Sequence, residues 1–547
     1  MSERRGRRGL RVYRTAVAVG VGLVGLAVGG ALMERAAAAQ EADSFDRAQL
    51  RRVTQIIEQR YVEPIAADDL YRMAIDGMLG ELDDPNTRLI EAGSSTDLDV
   101  TLTGNYAGLG IRVGQVGDWV TVMSVISGTP AEREGLLPGD RIVGVDGESV
   151  AGWDEVQVIE RLRGPVGEPV TVRVARLGLS EPIDLSVTRD SIHVPPVLAY
   201  EIDEDVGVVQ LTQFSHAARG ELRSAIEELQ RQGADRLVLD LRGNPGGLLE
   251  EGVAVADLFL PRGETIVSTA SRVEDQNYVF KAEEAAVFDD LPIVVLIDGA
   301  SASASEIVAG ALQDHDRALV LGTPSFGKGS MQTVYLLPGG HHLKLTTAAW
   351  YTPSGRSIQR ERDDAGLMEP EITGHDPAAL DAAVAEPADT TAREVFHTAA
   401  GRPVYGGGGI FPDRVVRDSA TAAERHLGAE LQRNGLSIRQ LAFRFAVRWV
   451  GEHPELEPDF EITPAMRASF LTLLHDEGVD IDESTYAEVA SSIDGFLGVQ
   501  LANTAFGELE ALRRSHAADL TFEAAVAQLR AADSTEELLR LGTAGAP

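Results

Sequence analysis

The chain has 547 residues and a formal net charge of −36, with 49 lysines and arginines against 85 aspartates and glutamates. This length predicts roughly three or four domains, and the acidic charge argues against a nucleic-acid partner. The sequence contains no cysteine, which excludes disulfides, thiolate zinc sites and a cysteine nucleophile. We expect no metal and no cofactor, because no HExxH motif and no calcium-loop spacing is present.

A basic stretch followed by a long apolar segment stands at the N-terminal end of the sequence. Arginines are frequent from Arg4 to Arg14, and residues 15–33 carry no charge. Because an apolar segment of this length can span a bilayer, we expect an extracytoplasmic protein, on the periplasmic side and anchored to the inner membrane. A signal peptide cleaved near Ala39, with the remainder secreted, is the second interpretation of residues 1–40.

The next two regions differ in hydrophobic period. Residues 41–98 are predicted to form a small helical segment, because two groups of apolar side chains recur at helical spacing: Leu50, Val53, Ile56 and Ile57, then Leu70, Met73, Ile75, Met78 and Leu79. Residues 99–190 instead alternate in short runs separated by Gly, Pro and Asp turns, with one helical stretch from Trp153. We expect about five short strands and one or two helices in a compact, partly open barrel.

Residues 191–418 alternate between strand and helix patterns from Val206 onward. This alternation predicts a mainly parallel sheet with right-handed crossovers and helical cover, so the fold class is a multidomain α/β (α+β) protein. The active site of such a sheet lies at the carboxyl ends of its strands. An insertion near residues 363–400, rich in Ala, Asp, Glu, Pro and Thr, is predicted to be acidic and solvated. The sequence YGGGGIFPD, Tyr405 to Asp413, is predicted to be a hinge-like turn.

Residues 419–547 carry helical periodicity almost throughout and are predicted to form a helical C-terminal extension. One of these helices, residues 437–451, has an apolar stripe on one face: Ile438, Leu441, Ala442, Phe445 and Trp449. We expect the stripe to be buried, either on the body of the protein or on another subunit. We favour the second option, in which these helices mediate a homo-oligomer or dock an adaptor.

Two turns follow strands of the predicted sheet and should reach the same edge. The first, DGASASASEIVAGALQD from Asp298 to Asp314, passes from a strand into a helix. Unpaired backbone N–H groups at such a turn can hold a developing oxyanion beside a presented serine. The second turn is DLRGNPGG, from Asp240 to Gly247. The first turn alone is also typical of close backbone packing or of a phosphate cradle, and the second alone is also typical of a simple tight turn.

Lysine is rare in this sequence, which has three, Lys281, Lys328 and Lys344, against several dozen arginines. Lys328 stands between two glycines in SFGKGSMQ. Arginine keeps its proton near neutral pH whereas a desolvated lysine can lose it, so this position favours a need for a neutral amine. The absence of acidic residues from residues 323–332 fits an amine kept away from carboxylates.

Together these segments resemble the C-terminal processing peptidases, also called tail-specific proteases, which are Ser–Lys serine endopeptidases. The catalytic signature of that family is similar to GASASASEIVAGALQDHDRALVLGTPSFGKGSMQ, and its N-terminal helical segment is similar to YVEPIAADDLYRMAIDGMLGELDDPNT. Its PDZ domain resembles GNYAGLGIRVG together with SGTPAEREGLLPGDRIVGVDGESVAGW. The resemblance covers about residues 50–360. It departs from the family at DDPNT, where Asp-Pro-His-Ser is usual, and in the long helical tail.

The resemblance implies a crotonase/ClpP-like protease core with Ser303 as the nucleophile and Lys328, 25 residues later, as the base. It implies that Gln332 orients the lysine amine. The oxyanion hole is implied to be two backbone N–H groups: those of Ala304 and Gly247, with Gly246 as the substitute for Gly247.

The segment AGLGI resembles the carboxylate-binding loop of PDZ domains, which implies peptide binding at Gly108, Leu109, Gly110 and Ile111. The expected partners are therefore proteins or peptides with free C-termini. Two alternatives stay open: a catalytically silent PDZ scaffold whose helical tail recruits partners, and a crotonase-like acyl-CoA enzyme. The intact serine and lysine argue against the first alternative, and the PDZ segment and export argue against the second.

Overall fold

The structure is a computed structural model that describes residues 47–91, 103–202, 205–360, 393–417 and 420–543. The predicted membrane segment, the cleavage site near Ala39 and most of the predicted acidic insertion lie outside these residues. The chain forms two compact units that divide between Asp84 and Pro85. Within the described residues, no helix combines the length and apolar character needed to cross a membrane.

The described part of the first unit, residues 47–84, forms two helices, α1 (Arg47–Arg60) and α2 (Ala67–Gly80). Both coincide with the two predicted groups of apolar residues. The acidic side chains of Asp68 and Asp69 lie in the first turn of α2, where a negative charge interacts favourably with the helix dipole. The predicted helical segment is therefore confirmed.

The next region is built from short antiparallel strands. Its elements are β1 (Arg88–Ile90), β2 (Asn105–Gly108), β3 (Ile111–Val116), β4 (Trp119–Val125), α3 (Pro130–Arg133), β5 (Arg141–Val145), β6 (Glu148–Ser149), α4 (Glu155–Leu162), β7 (Pro169–Ala175), β8 (Ile183–Thr188) and β9 (Asp190–His193). One sheet has the order β3-β4-β5-β7-β8, with β6 paired to β5, and β2 pairs separately with β9. The strand β3 therefore lies at an edge of its sheet.

The core of the second unit alternates strand and helix, as predicted. Its elements are β10 (Val197–Ile202), β11 (Val206–Leu211), α5 (Ala218–Gln232), β12 (Arg236–Asp240), α6 (Leu249–Asp257), β13 (Thr265–Ala270), β14 (Val279–Lys281), β15 (Ile293–Ile297), α7 (Ala304–Asp314), β16 (Leu319–Gly322), β17 (Ser330–Leu336), β18 (His342–Tyr351), β19 (Val395–His397), β20 (Pro403–Tyr405) and β21 (Arg414–Val415). The main sheet has the order β10-β11-β12-β15-β16-β21 and is parallel except between β10 and β11.

A second sheet, which the sequence analysis did not anticipate, has the order β1-β18-β13-β14, with β17 paired to β18. All its pairings are antiparallel. β13–β14 and β17–β18 join neighbouring segments, whereas β1–β18 and β13–β18 join segments far apart in the chain, such as Arg88 with Lys344. The lysine-bearing loop leads directly into β17, so this sheet fixes one end of that loop.

The C-terminal extension consists of helices, as predicted: α8 (Ala422–Arg433), α9 (Ile438–Glu452), α10 (Pro464–Asp476), α11 (Glu483–Glu488), α12 (Ala490–Phe506), α13 (Glu508–Ala517), α14 (Leu520–Arg530) and α15 (Thr535–Gly542). Thr463 caps α10 by accepting the N–H of Met466 at 3.2 Å. Pro464 occupies the first position of that helix, where it costs no hydrogen bond.

The apolar stripe of α9 is covered by neighbouring helices of the extension itself. Leu441, Ala442 and Phe445 are buried in a core built from helices of the extension, and Phe445 packs edge-to-face on Phe470 with ring centroids 5.6 Å apart. The expectation that the stripe lies on the body of the protein or on another subunit is therefore wrong. An oligomer or adaptor surface gains no support from this stripe, because it is already buried.

The last three helices of the extension cover one face of the main sheet. The opposite face packs against α5, α6 and α7. On the extension side, Val208, Val238 and Leu296 of the strands share a core with Phe522 and Leu529. These three helices thus form the second helical layer of the main sheet.

Truncation of a side chain in this layer should destabilise the whole unit. Leu529 is fully buried in the layer, so we expect Leu529→Ala to lower the free energy of unfolding by about 2–5 kcal/mol. Leu520→Ala in the same helix, at a side chain that is 51% exposed, should stay within about 0.5 kcal/mol of the parent. Urea denaturation of both variants measures the difference. Equal stability of the two variants would contradict this role of the extension.

Candidate active site

Two turns meet at the carboxyl ends of neighbouring parallel strands. Residues 241–247 follow β12 and residues 298–303 follow β15, and these two strands are paired. The hydroxyl of Ser301 donates to the carbonyl oxygen of Leu241 at 2.9 Å. The hydroxyl of Ser305 donates to the carbonyl oxygen of Asn244, also at 2.9 Å. The two serines near Ser303 therefore tie the turns together.

Asn244 is a second tie that the sequence analysis missed. Its side chain is fully buried; Nδ2 donates to the carbonyl oxygen of Leu211 at 2.7 Å, and Oδ1 accepts the N–H of Gly246 at 2.9 Å. Its own carbonyl oxygen accepts the N–H of Ala302 at 3.0 Å. The signal in the sequence was an asparagine inside a Gly-Pro turn, where its side chain commonly bonds the backbone two residues on.

Ser303 has a backbone conformation that L-residues rarely adopt. Its φ is +55°, and the other non-glycine residues with positive φ in the described ranges are all aspartates. It stands immediately before α7 and is half-buried. A strained turn between a strand and a helix is a common way of presenting a nucleophile.

Gly246, in the turn of residues 241–247, lies directly against Ser303. A Cβ added to Gly246 would be 2.8 Å from Cβ of Ser303 and 2.9 Å from the backbone nitrogen of Ala304, so no side chain fits there. The N–H of Gly246 is already bonded to Asn244. Within the described residues, the N–H groups of Gly247 and Ala304 have no backbone acceptor. The N–H of Gly247 is therefore a better candidate than that of Gly246 for the predicted oxyanion hole.

Glu306 links the serine turn to the lysine loop. Its carboxylate is fully buried. Oε2 accepts the backbone N–H groups of Ser303 at 2.8 Å and Lys328 at 3.0 Å, and Oε1 accepts the hydroxyl of Ser325 at 2.6 Å and the N–H of Gly327 at 2.7 Å. Burial raises the pKa of Glu306 above its ordinary value, and these four donors oppose that rise.

Glu306 corrects one expectation about the lysine. The sequence analysis expected the surroundings of Lys328 to be free of carboxylates, yet a carboxylate from α7 is bonded to the backbone of Lys328 itself. The signal that was available was the spacing: a glutamate three residues after a serine at a helix start is a capping-box pattern. That pattern usually closes a helix end and gives no hint of a bond to a distant loop.

The glycine-rich stretch, residues 406–409, packs closely against the lysine loop. The N–H of Ile410 donates to Oγ of Ser325 at 2.6 Å, and the N–H of Gly409 donates to the carbonyl oxygen of Ile358 at 2.9 Å. Gly409 has a φ of +99°, and a Cβ there would be 2.3 Å from the carbonyl oxygen of Ser325. The prediction of a hinge-like turn is therefore wrong, since these glycines permit close contact.

Gln332 lies in β17, half-buried like Lys328. Its Nε2 donates to Oγ of Ser330 at 3.0 Å and to Oγ1 of Thr346 at 3.2 Å. These bonds fix the amide on the strand that leaves the lysine loop. The predicted orientation of the lysine amine by Gln332 stays a prediction.

The predicted carboxylate-binding loop, Gly108 to Ile111, joins β2 to the edge strand β3. Leu109 is buried in the core of this domain. Gly110 has a φ of +88°, and a Cβ on it would collide with Thr129 at 2.2 Å. The loop is thus held tightly at the start of β3, whose outer edge pairs with no other strand among the described residues. Strand addition by a peptide requires such an edge.

Comparison with known proteins agrees with this architecture. Residues 205–371 match peptidase family S41, residues 121–176 match a PDZ domain, and residues 28–92 match the N-terminal domain of the activating protease CtpB. A carboxy-terminal-processing protease of Bartonella bacilliformis is 42% identical over 321 residues, which are 58% of this chain and 71% of the relative. The chain belongs to the carboxyl-terminal processing proteases of peptidase family S41.

Other relatives of this S41 protease match a similar share of its chain, about three fifths. A carboxyl-terminal-processing protease of Synechocystis is 37% identical over 341 residues, or 61% of this chain and 78% of the relative. Among solved structures, a photosystem II D1 C-terminal processing protease is 29% identical, with a TM-score of 0.34, and the match covers 61% of this chain and 95% of that one. The family matches of residues 205–371 and 121–176, together with the Bartonella relative, make the S41 protease a serine-type peptidase with a PDZ domain.

Replacement of the shared carboxylate should disconnect the two loops of the protease. In Glu306→Gln, an amide NH2 replaces one of two oxygens that together accept four donors. We expect the free energy of unfolding to fall by about 1–3 kcal/mol and labelling of the active-site serine by a fluorophosphonate to slow at least about tenfold. Unchanged labelling in a folded variant would contradict the linking role of Glu306.

The effect of Glu306→Gln on the free energy of unfolding should depend on pH. Because burial raises the pKa of Glu306 above its ordinary 4.5, the stability that this group contributes is present below about pH 4.5 and is lost as pH rises through the raised pKa. The difference in unfolding free energy between parent and Glu306→Gln should therefore narrow from pH 4 towards pH 7, at constant ionic strength. A difference that widens with pH would contradict the sign of the shift.

Proposed function

We propose that Ser303 attacks the scissile peptide bond of the substrate and that Lys328 is its general base. The observation that carries this assignment is the carboxylate of Glu306, because one of its oxygens accepts the backbone N–H groups of both residues. A single buried group thus holds the serine and the lysine as neighbours. The strained φ of Ser303 and the interlocked turns around it support the same assignment.

The reaction begins when Ser303 gives its hydroxyl proton to the neutral amine of Lys328 and its oxygen bonds to the scissile carbonyl carbon. The oxyanion that forms binds the N–H groups of Gly247 and Ala304. Collapse of the intermediate releases the amine product, which takes the proton from Lys328, and leaves an acyl-enzyme. A water molecule that Lys328 deprotonates then hydrolyses the ester and restores Ser303.

Gln332 orients the base in this proposal. Its amide nitrogen donates to Ser330 and Thr346, so its carbonyl oxygen is the atom that accepts a hydrogen bond from the lysine amine. An amide carbonyl can do this without adding a negative charge, which would favour the protonated amine.

The PDZ domain captures the C-terminal tail of unfolded or tagged protein substrates. The carboxylate binds the N–H groups of residues 108–111, and the preceding residues of the tail add as a strand to the free edge of β3. Cleavage at the serine then processes a chain that is already held by its terminus.

We also propose that the protease is exported to the periplasmic side, anchored by residues 15–33 or released by cleavage near Ala39. The uncharged apolar run and the arginines before it support this proposal. An alkaline phosphatase reporter fused after residue 46 should be active in cells, and N-terminal sequencing of the recovered protein distinguishes anchor from signal peptide. An inactive reporter would refute export.

The lysine assignment predicts that charge alone cannot replace Lys328. Because arginine does not become neutral near pH 7, we expect Lys328→Arg to be as inactive as Lys328→Ala in peptide cleavage and in fluorophosphonate labelling of Ser303. Lys281→Arg, at an exposed lysine of β14, is the matched control and should keep parental activity. Substantial activity in Lys328→Arg would refute the mechanism. Absence of labelling in the folded parent would instead favour the silent scaffold.

The binding assignment predicts a requirement for a free carboxylate. Amidation of the C-terminus of a peptide removes the charged acceptor for the loop N–H groups, so we expect binding to weaken at least about tenfold. Fluorescence anisotropy with the inactive Ser303→Ala protease measures binding without cleavage. Equal affinity for the acid and the amide would show that the domain does not read chain termini.

A further inference from the structure

A buried ion pair lies at the start of the turn that carries Gly247. Asp240, the last residue of β12, is fully buried. Its carboxylate accepts the backbone N–H of Arg242 at 2.9 Å, together with the Nε and Nη2 donors of the same arginine at 2.9 and 2.8 Å. Asp240 therefore fixes the backbone and the side chain of Arg242 at the entrance of the turn.

Two side chains of the C-terminal extension complete this pair. Nε2 of His516, at the end of α13, lies 3.0 Å from Oδ2 of Asp240, and His516 is only 3% exposed. Asp519, which caps α14, accepts Nη1 of Arg242. Each member of the ion pair is thus bonded to the extension, which lies more than 270 residues further along the chain.

The hydrogen bonds assign the roles of the two nitrogens of His516. The carboxylate of Asp240 can only accept, so Nε2 carries a proton and donates to it. Nδ1 then accepts the hydroxyl of Tyr200, at 2.6 Å. The ring also stacks on Phe522, with centroids 4.1 Å apart. His516 is therefore fixed on both nitrogens and on one face.

The network keeps the charge of Asp240 despite its burial. Desolvation would raise the pKa of this carboxyl group, but the charge of Arg242 and the hydrogen bond from His516 outweigh it and lower the pKa. A buried carboxylate that loses one of its partners is strongly destabilised. The conformation of the pair consequently depends on groups supplied by the extension.

The ion pair is continuous with the oxyanion turn. After Arg242, the N–H of Gly243 donates to Asp298 of the serine turn at 3.0 Å, and Asn244 bonds Gly246 as described above. A shift of Arg242 would therefore be transmitted along a short hydrogen-bonded path to Gly247. Small displacements of such a donor have large effects on the rate of acyl transfer.

We propose that His516 and Asp519 of the C-terminal extension are positioning residues that clamp the Asp240–Arg242 pair and hold the oxyanion turn, residues 241–247, in its reactive conformation. This inference rests on the proposed function, in which that turn supplies one of the two oxyanion donors. The extension then takes part in catalysis through the turn while contacting no reacting atom.

Substitutions at His516 separate its two hydrogen bonds. His516→Gln keeps a donor at the position of Nε2, whereas His516→Asn keeps an acceptor near Nδ1 and loses the donor to Asp240. We expect His516→Asn to lower kcat and the rate of Ser303 labelling at least about tenfold, with KM unchanged. His516→Gln should restore both rates to within about threefold of the parent. The full-length protease and a tail-bearing peptide are used throughout.

Matched variants elsewhere in the extension serve as controls. His475 in α10 bonds the carbonyl oxygen of Ile481 within the extension, so His475→Asn should leave the labelling rate unchanged. Asp519→Asn keeps the cap of α14 and removes the charge beside Arg242, so it should slow labelling. Asp482→Asn makes the same exchange at the cap of α11. It should not slow labelling.

Hydrogen exchange measures how firmly residues 241–247 are held, independently of catalysis. Amides of residues 241–247 should exchange faster in His516→Asn and Asp519→Asn than in the parent, while amides of α10 do not change. Parental labelling and parental exchange in both folded variants would overturn the clamp. If His516→Asn does not fold, Asp519→Asn decides. If the parent itself is not labelled at Ser303, the proposed function fails, and exchange still decides whether the extension holds the turn.

Discussion

The active site of this protease depends on one buried carboxylate that accepts four hydrogen bonds. Glu306 bonds the backbone of Ser303, and it bonds Ser325, Gly327 and Lys328 of a loop that comes from a different part of the sheet. A serine and a lysine on separate loops would otherwise have to be aligned by packing alone. The arrangement has a cost, because burial disfavours the charged form of Glu306. Local stability is thus given up to align the two residues that we propose as nucleophile and base.

The sequence predicted the parallel sheet, its crossovers and the helical extension, because each rests on a local period of apolar residues. It did not predict the antiparallel sheet of β1, β13, β14, β17 and β18, in which β1 and β13 pair with the distant β18. Periodicity also does not tell what covers an apolar face. The stripe on α9 was correctly identified as buried, and its partner was not, since any apolar surface could have covered it.

The residues of the candidate site also differ in how well the sequence predicted them. Ser303, Lys328, Gly247 and Ala304 could be proposed from a local signature and a family resemblance. Glu306, Asn244 and Asp240 act through bonds to residues far along the chain, so their local sequence gives only a helix cap, a turn and a strand end. Polar residues that become buried and bonded at long range are the part of a site that local patterns describe least well.

The glycine-rich stretch, residues 406–409, also holds the two chain segments that flank residues 361–392. Arg360 and Arg393 flank residues 361–392. Arg360 donates to the carbonyl oxygen of Gly408, and Arg393 donates to that of Gly407. The two ends of that segment are therefore fixed on the same support. Gly409 of the same stretch packs against Ser325, so the lysine loop and the two flanking segments rest on one short piece of backbone. A side chain introduced at Gly409 would therefore disturb all three at once.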